Sequence, residues 1–235
     1  MRINSNEMKN IRYVAFDADD TLWVNEKFFR DGEAVLCGLL EEYAPAEEVI
    51  KHLYDLEMST LKLYGYGIKA YILSMIETAL DISGGKVPQE TIRKIIEMGK
   101  TQMDRPVVLY EGVKEVLDSL SGRYELILAT KGDMLDQYRK IGKSGLKDYF
   151  GHIEIMSDKK ISDYRRLMDK LTIGPSEFLM IGNSLKSDVV PVLEMGGYAA
   201  HVPCDVTWMH EEIDFELSHP NFRQLSHITD ILDVL

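Results

Sequence analysis

Tyr13-Val14-Ala15-Phe16-Asp17-Ala18-Asp19-Asp20-Thr21 is the stretch on which the reading of the fold turns. The apolar run Tyr13–Phe16 reads as a buried strand that gives way to an acidic loop. Two residues apart, Asp17 and Asp19 share a face of an extended chain, so both carboxylates can point into one cleft. One can attack an electrophile while the other moves a proton, with a cation holding the pair together. The plainer alternative is an acidic turn, because Asp closes turns through Asx hydrogen bonds.

Outward from this stretch, short apolar runs alternate with longer helical patterns. The further strand candidates are Glu125–Ala129, His152–Met156, Glu177–Ile181 and Tyr198–Val202. Between them lie helix-period stretches such as Gly112–Leu120 and Ser162–Leu171, with Ser162-Asp163 as a candidate N-cap. Alternation of this kind predicts an α/β fold in which helices cover a doubly wound parallel sheet.

The interval between the first two strands, residues 17 to 124, is far longer than an ordinary βα crossover. Glu26–Glu42, Ala46–Tyr64, Ile68–Leu80 and Gln89–Met103 carry apolar residues three and four apart, and Gly84-Gly85 and Pro88 break the pattern. Residues 27–104 are therefore expected to form an inserted helical domain, and residues 1–26 with 105–235 the α/β core. A bundle inserted beside the strand end bearing Asp17 is expected to serve as a lid that excludes water.

Composition narrows the function. The 235 residues carry a net charge of −12 and are 45% hydrophobic. The sequence pI is about 5.0. That acidity argues against a nucleic-acid backbone or an anionic membrane as partner, while an anionic small molecule remains compatible with a locally positive site. Cys37 and Cys204 have no metal-ligand spacing and read as reduced thiols of a cytoplasmic protein. Met1–Glu7 is polar, without the apolar stretch of a signal peptide, and no segment has the length and apolarity of a membrane span.

Ligands of doubly wound sheets bind outside the carboxyl ends of the strands, and each strand candidate is followed there by residues suited to phosphate chemistry. Thr130 and Lys131 follow Glu125–Ala129, offering a hydroxyl and backbone N–H groups at a helix start. Lys159 and Lys160 follow His152–Met156, and either could pair with Asp17 and a phosphate oxygen; Lys159 is preferred for its distance to Tyr164. Gly182-Asn183-Ser184-Leu185-Lys186-Ser187-Asp188 follows Glu177–Ile181, and Asn183 and Asp188 offer oxygens to a hard cation such as Mg²⁺.

This ordered set resembles the haloacid dehalogenase superfamily of phosphohydrolases across nearly the whole chain. Asp17–Thr21 is similar to its first motif, Thr130 to the second, Lys159 to the third, and Gly182-Asn183-Ser184 with Asp188 to the fourth. The resemblance implies a Rossmann-like core with a C1-type helical cap. It also implies a phosphoryl-accepting nucleophile at Asp17 and an acid/base at Asp19. Phosphate oxygens would be held by Thr130, Lys131 and Lys159. Mg²⁺ would be held by Asp17, the Asp19 backbone carbonyl, Asn183 and Asp188. One departure stands out, since the fourth motif usually has an acidic residue where Asn183 stands.

The implied activity is hydrolysis of a small phosphate ester by a monomer or homodimer. The rivals are a phosphomutase and a non-catalytic binding protein on the same scaffold. A metal-free haloalkanoic dehalogenase fits less well, because Asp19 would have no task in its mechanism. In the capping helices, Tyr64-Gly65-Tyr66-Gly67-Ile68-Lys69 is the candidate specificity segment, and Trp23 and Asn25 are placed to pack at a hinge or wall a pocket.

Overall fold

Side chains of the central strands alternate between two apolar layers, as period-two geometry requires. The computed structural model describes residues 10–206, 208–211 and 217–235; the polar start Met1–Glu7 lies outside them. Among these described residues, six parallel strands form one sheet in the order β3-β2-β1-β4-β5-β6. They are β1 (Tyr13–Phe16), β2 (Glu125–Lys131), β3 (His152–Met156), β4 (Phe178–Gly182), β5 (Tyr198–His201) and β6 (Phe222–Gln224). Val14, Phe16, Leu126, Leu128, Leu179 and Ile181 point into one layer, with Val113, Val116, Leu117 and Leu120 of α5 (Val113–Leu120). Ala15, Ile127, Ala129, Phe178 and Met180 point into the other, beneath Tyr164, Leu167 and Met168 of α7 (Ile161–Leu171). A sheet buried on both faces explains why these strands read as continuous apolar runs.

Five of these strands lie where the sequence places them, β1 and β3 to the residue and the others with ends shifted by one or two. Edge strand β6 has only three residues, too few to show a period. Helix α7 also corrects an expectation. It starts at Ile161 with Lys160 at the N-cap, so Ser162-Asp163 lies inside the first turn. Asp163 there accepts the Lys160 N–H at 3.0 Å and satisfies one of the helix's free donors.

The chain divides into two units. One contains the sheet and comprises the chain up to Glu26 with Val107–Lys131 and Lys140–Leu235. The other comprises Lys27–Pro106 and Gly132–Arg139. It holds α1 (Glu26–Leu40) beyond its first residue, α2 (Ala46–Tyr64), α3 (Ile68–Ile82) and α4 (Gln89–Asp104). Their shared core includes Leu36, Leu40, Leu53, Met75 and Ile95. Helix α6 (Met134–Ser144) contributes its first six residues to this unit. The sequence reading assigned Gly132–Arg139 to the core. Their grouping with the helices has a local cause, an ion pair from Asp133 to Lys69 at 2.8 Å and the close packing of Asp133 on Gly67.

Among the described residues no helix is long and apolar enough to cross a membrane.

Candidate active site

The site grows from adjacent strand ends. Phe16 of β1 lies in register with Ile181 of β4, and the Asp17 N–H continues the ladder to the Ile181 carbonyl at 2.9 Å. Asp17 thus leaves the sheet next to the loop that starts at Gly182. The Lys159 ammonium, brought in after β3, donates to Asp17 Oδ1 and to Asp188 Oδ1 at 2.6 Å. All three are buried. Lys160 points away, exposed, and pairs with Asp158 at 2.8 Å. Of the two lysines the sequence left open, Lys159 is the one that meets Asp17.

Thr21 ties the first loop to the last. Its hydroxyl is 3.1 Å from Asp17 Oδ2 and 3.2 Å from Asn183 Oδ1, and it accepts the Asn183 N–H at 3.0 Å. The second oxygen of Asp188 accepts the Ser184 N–H at 3.0 Å. A Cβ at position 182 would come within 2.2 Å of that same oxygen, so glycine is what lets the Asp188 carboxylate lie over the strand end. Leu185–Val189 winds as a π-turn, the kind of irregular turn often found at functional sites.

Burial raises the Asp17 carboxyl above its ordinary range, and the Asp188 and Asp19 charges add to that while Lys159 opposes it. For Lys159, burial disfavours the charged form, but Asp17 and Asp188 outweigh it and hold the ammonium charged. One ammonium faces the two buried carboxylates of Asp17 and Asp188, so this cluster is short of positive charge. Among the described residues no three His, Cys, Asp or Glu side chains form a ready metal cage. The donors present are the Asp17 and Asp188 carboxylates and the Asn183 amide oxygen. That set suits Mg²⁺, which usually keeps waters beside one or two carboxylates.

Asp19 is held separately. Lys140 donates to both of its oxygens at 2.6 Å, and the Trp23 indole N–H donates to Oδ1 at 2.6 Å. Lys140 also reaches Asn25 Oδ1 at 3.3 Å. Trp23 is therefore buried for a reason beyond packing, since its polar edge finds a partner. Asp20 has a left-handed backbone, φ 61°. Its carboxylate accepts the N–H groups of Asn25 and Glu26 at 2.9–3.0 Å, capping the start of α1. Burial pushes Asp20 up to about 6, against the opposing pull of the Asn25 N–H.

Thr130 is buried near the end of β2, two residues beyond Leu128, the partner of Phe16. Lys131, proposed from sequence to hold phosphate, turns instead to Glu211 and to Ser187 Oγ, the latter at 2.9 Å. Burial would raise the Glu211 carboxyl, but Lys131 and the Ser184 and Ser187 hydroxyls bring it down to about 2.

Sequence reasoning missed Lys140 and Glu211 as site residues. Lys140 belongs to an amphipathic helix in which a lysine carries no special signal, and Glu211 follows the last recognised motif by more than twenty positions. Thr21 was legible in the first motif but had no task assigned. In the helical unit, Gly65 and Gly67 take positive φ values of 72° and 110° and make the bend expected between α2 and α3. Tyr64 donates to Glu77 at 2.6 Å, and Lys69 pairs with Asp133 rather than standing free in solvent.

Comparison with known proteins supplies the family. A model of haloacid dehalogenase-like hydrolases matches residues 11–194. The chain is similar to a haloacid dehalogenase-like family hydrolase from Xanthomonas campestris, 33% identical, with a TM-score of 0.86 over 99% of this chain and 95% of that one. It is also similar to the HAD-hydrolase YfnB of Bacillus subtilis, 22% identical over 97% of each chain. YfnB has been solved bound to magnesium, and its structure superposes with a TM-score of 0.65 over 96% of this chain and 99% of that one, at 15% identity. A 2-haloacid dehalogenase of Pseudomonas syringae has the same fold, with a TM-score of 0.62 at 18% identity over 95% of this chain and 97% of that one. With its parallel sheet, its ordered strand-end motifs and these matches, the chain belongs to the haloacid dehalogenase-like hydrolase family.

Proposed function

We propose that this hydrolase is a Mg²⁺-dependent phosphatase of a small phosphorylated metabolite, working in the cytoplasm. The observation that carries the reading is Lys159 bridging Asp17 and Asp188 at the ends of neighbouring strands. A phosphate monoester is largely dianionic near neutral pH, its second pKa being about 6, and it repels a carboxylate nucleophile. Bound by Asp17, the Asp19 backbone carbonyl, Asn183 and Asp188, Mg²⁺ would supply electrostatic stabilisation to the phosphoryl oxygens.

The chain's own groups perform the rest. Asp17 attacks phosphorus, an aspartyl–phosphate bond forms, and the ester P–O bond breaks. Asp19 gives the departing alkoxide its proton and then takes one from the water that hydrolyses the acyl phosphate. Lys159 offsets charge spreading over the equatorial oxygens. Thr130, at the end of β2, is assigned a phosphate oxygen, and residues 27–104 are assigned the choice of leaving group.

Asn183 favours one second reading. A neutral amide in place of a carboxylate weakens the case for a cation and suits a metal-free attack of Asp17 on a 2-haloacid carbon. One assay separates the two. A panel of phosphorylated metabolites and of 2-haloacids is incubated with the protein, and phosphate and halide release are measured with Mg²⁺ and after chelation. Phosphate release that EDTA abolishes and Mg²⁺ restores is expected, and Asp17→Asn should reduce it by several orders of magnitude. Halide release indifferent to chelation would contradict the proposal.

A further inference from the structure

Ser184 and Ser187 stand inside the loop that presents Asn183 and Asp188, and both hydroxyls give their protons to one carboxylate from outside every recognised motif. That carboxylate is Glu211, at the end of a short 3₁₀ turn, Met209–Glu211, and only 8% exposed. Glu211 Oε2 accepts from Ser187 Oγ at 2.6 Å and from Ser184 Oγ. Its Oε1 accepts from the Lys131 ammonium, which also donates to Ser187 Oγ at 2.9 Å. Ser184 Oγ is in turn the acceptor for the Ser187 N–H at 2.9 Å, and the Ser184 N–H holds Asp188. A continuous path of hydrogen bonds therefore runs from Glu211 through Ser184 to Asp188, Lys159 and Asp17.

Pairing a lysine with a carboxylate would need neither serine. Two hydroxyls and an ammonium converging on Glu211 make it a clamp on the loop. The loop's π-turn is a single irregular turn, Leu185–Val189, and the side chain of Ser184 at its start both caps it and reaches Glu211. Groups behind metal ligands commonly set ligand orientation in this way.

We propose that Glu211 is a positioning residue for the cation site, fixing the Asn183–Asp188 loop through Ser184 and Ser187. Lys131 is the counter-ion of Glu211 rather than a phosphate ligand. This inference rests on the Mg²⁺-dependent reading above.

Its test is calorimetric titration of Mg²⁺ into chelator-stripped protein, which reads binding without turnover. Wild-type protein, Glu211→Ala and the double variant Ser184→Ala/Ser187→Ala are compared after circular dichroism has confirmed their fold. Both variants should bind Mg²⁺ about tenfold more weakly, while KM for p-nitrophenyl phosphate at saturating Mg²⁺ stays near that of wild type. A folded Glu211→Ala with wild-type Mg²⁺ affinity would overturn the inference. If that variant does not fold, wild-type affinity in the serine double variant overturns it equally. Wild-type protein that takes up no Mg²⁺ sinks the metal-dependent reading itself, a result obtained before any variant is examined.

Discussion

Lys159 is the residue on which the stability of the buried charge cluster turns. Its side chain is 1% exposed, between the Asp17 and Asp188 carboxylates at 8% and 1%. Taking one partner out of a buried ion cluster costs more than the cluster contributes, because the remaining charges keep their desolvation penalty. Lys159→Met should therefore lower the unfolding free energy by about 3–5 kcal/mol, measured by urea denaturation near neutral pH, besides removing activity. A variant as stable as wild type would show that the two carboxylates are not charged together in the native state. At this scale the sequence was informative for residues whose type and place are both unusual, such as Asp17 after a buried strand. It was uninformative for Lys140 and Glu211, ordinary charged residues whose partners, Asp19 and Lys131, lie 121 and 80 positions away.

Among the elements, the helices of the inserted unit were the most legible. Sequence periodicity gave Ala46–Tyr64 to the residue, and Gly84-Gly85 marked the break where both residues have positive φ. Periodicity counts only apolar positions, so it did not show the charge that α2 brings inward. Glu57 is half-buried, and burial together with Glu33 raises its carboxyl from 4.5 to about 7, against the opposing pull of Arg30. A carboxyl raised on folding contributes stability that is fully present below about 4.5 and is lost as pH rises through 7. Glu57→Gln, neutral throughout, escapes that loss. It should be more stable than wild type by about 1–2 kcal/mol at pH 8, with the difference shrinking towards pH 4.5. Thermal unfolding of both proteins at pH 5 and pH 8 checks this, and an equal offset at both values would contradict it. Edge strand β6 was illegible for a different reason, since the three residues Phe222–Gln224 are too few to carry a pattern.

For the molecule as a whole, parallel strand order is what turns motifs far apart in sequence into neighbours. β1 sits between β2 and β4, so the residues leaving all three strands emerge side by side, and Lys159 joins them from the loop beyond β3. The α/β class and the strand-end placement of the motifs could be read from the alternation of apolar runs. The division of the chain could be read only in part, because Gly132–Arg139 joins the helices through Asp133 and Lys69, a contact between segments 64 residues apart that no local pattern announces.

Whether Asp17 carries the phosphoryl group can be read directly from the protein caught in turnover. Protein turning over a phosphate ester with Mg²⁺ is quenched in acid and reduced with borohydride, which converts an acyl phosphate on aspartate to homoserine. Peptide mass spectrometry then locates the change. Homoserine is expected at position 17, dependent on both substrate and Mg²⁺. Robust phosphate release with position 17 unmodified, or with the change at another aspartate, would contradict Asp17 as the nucleophile.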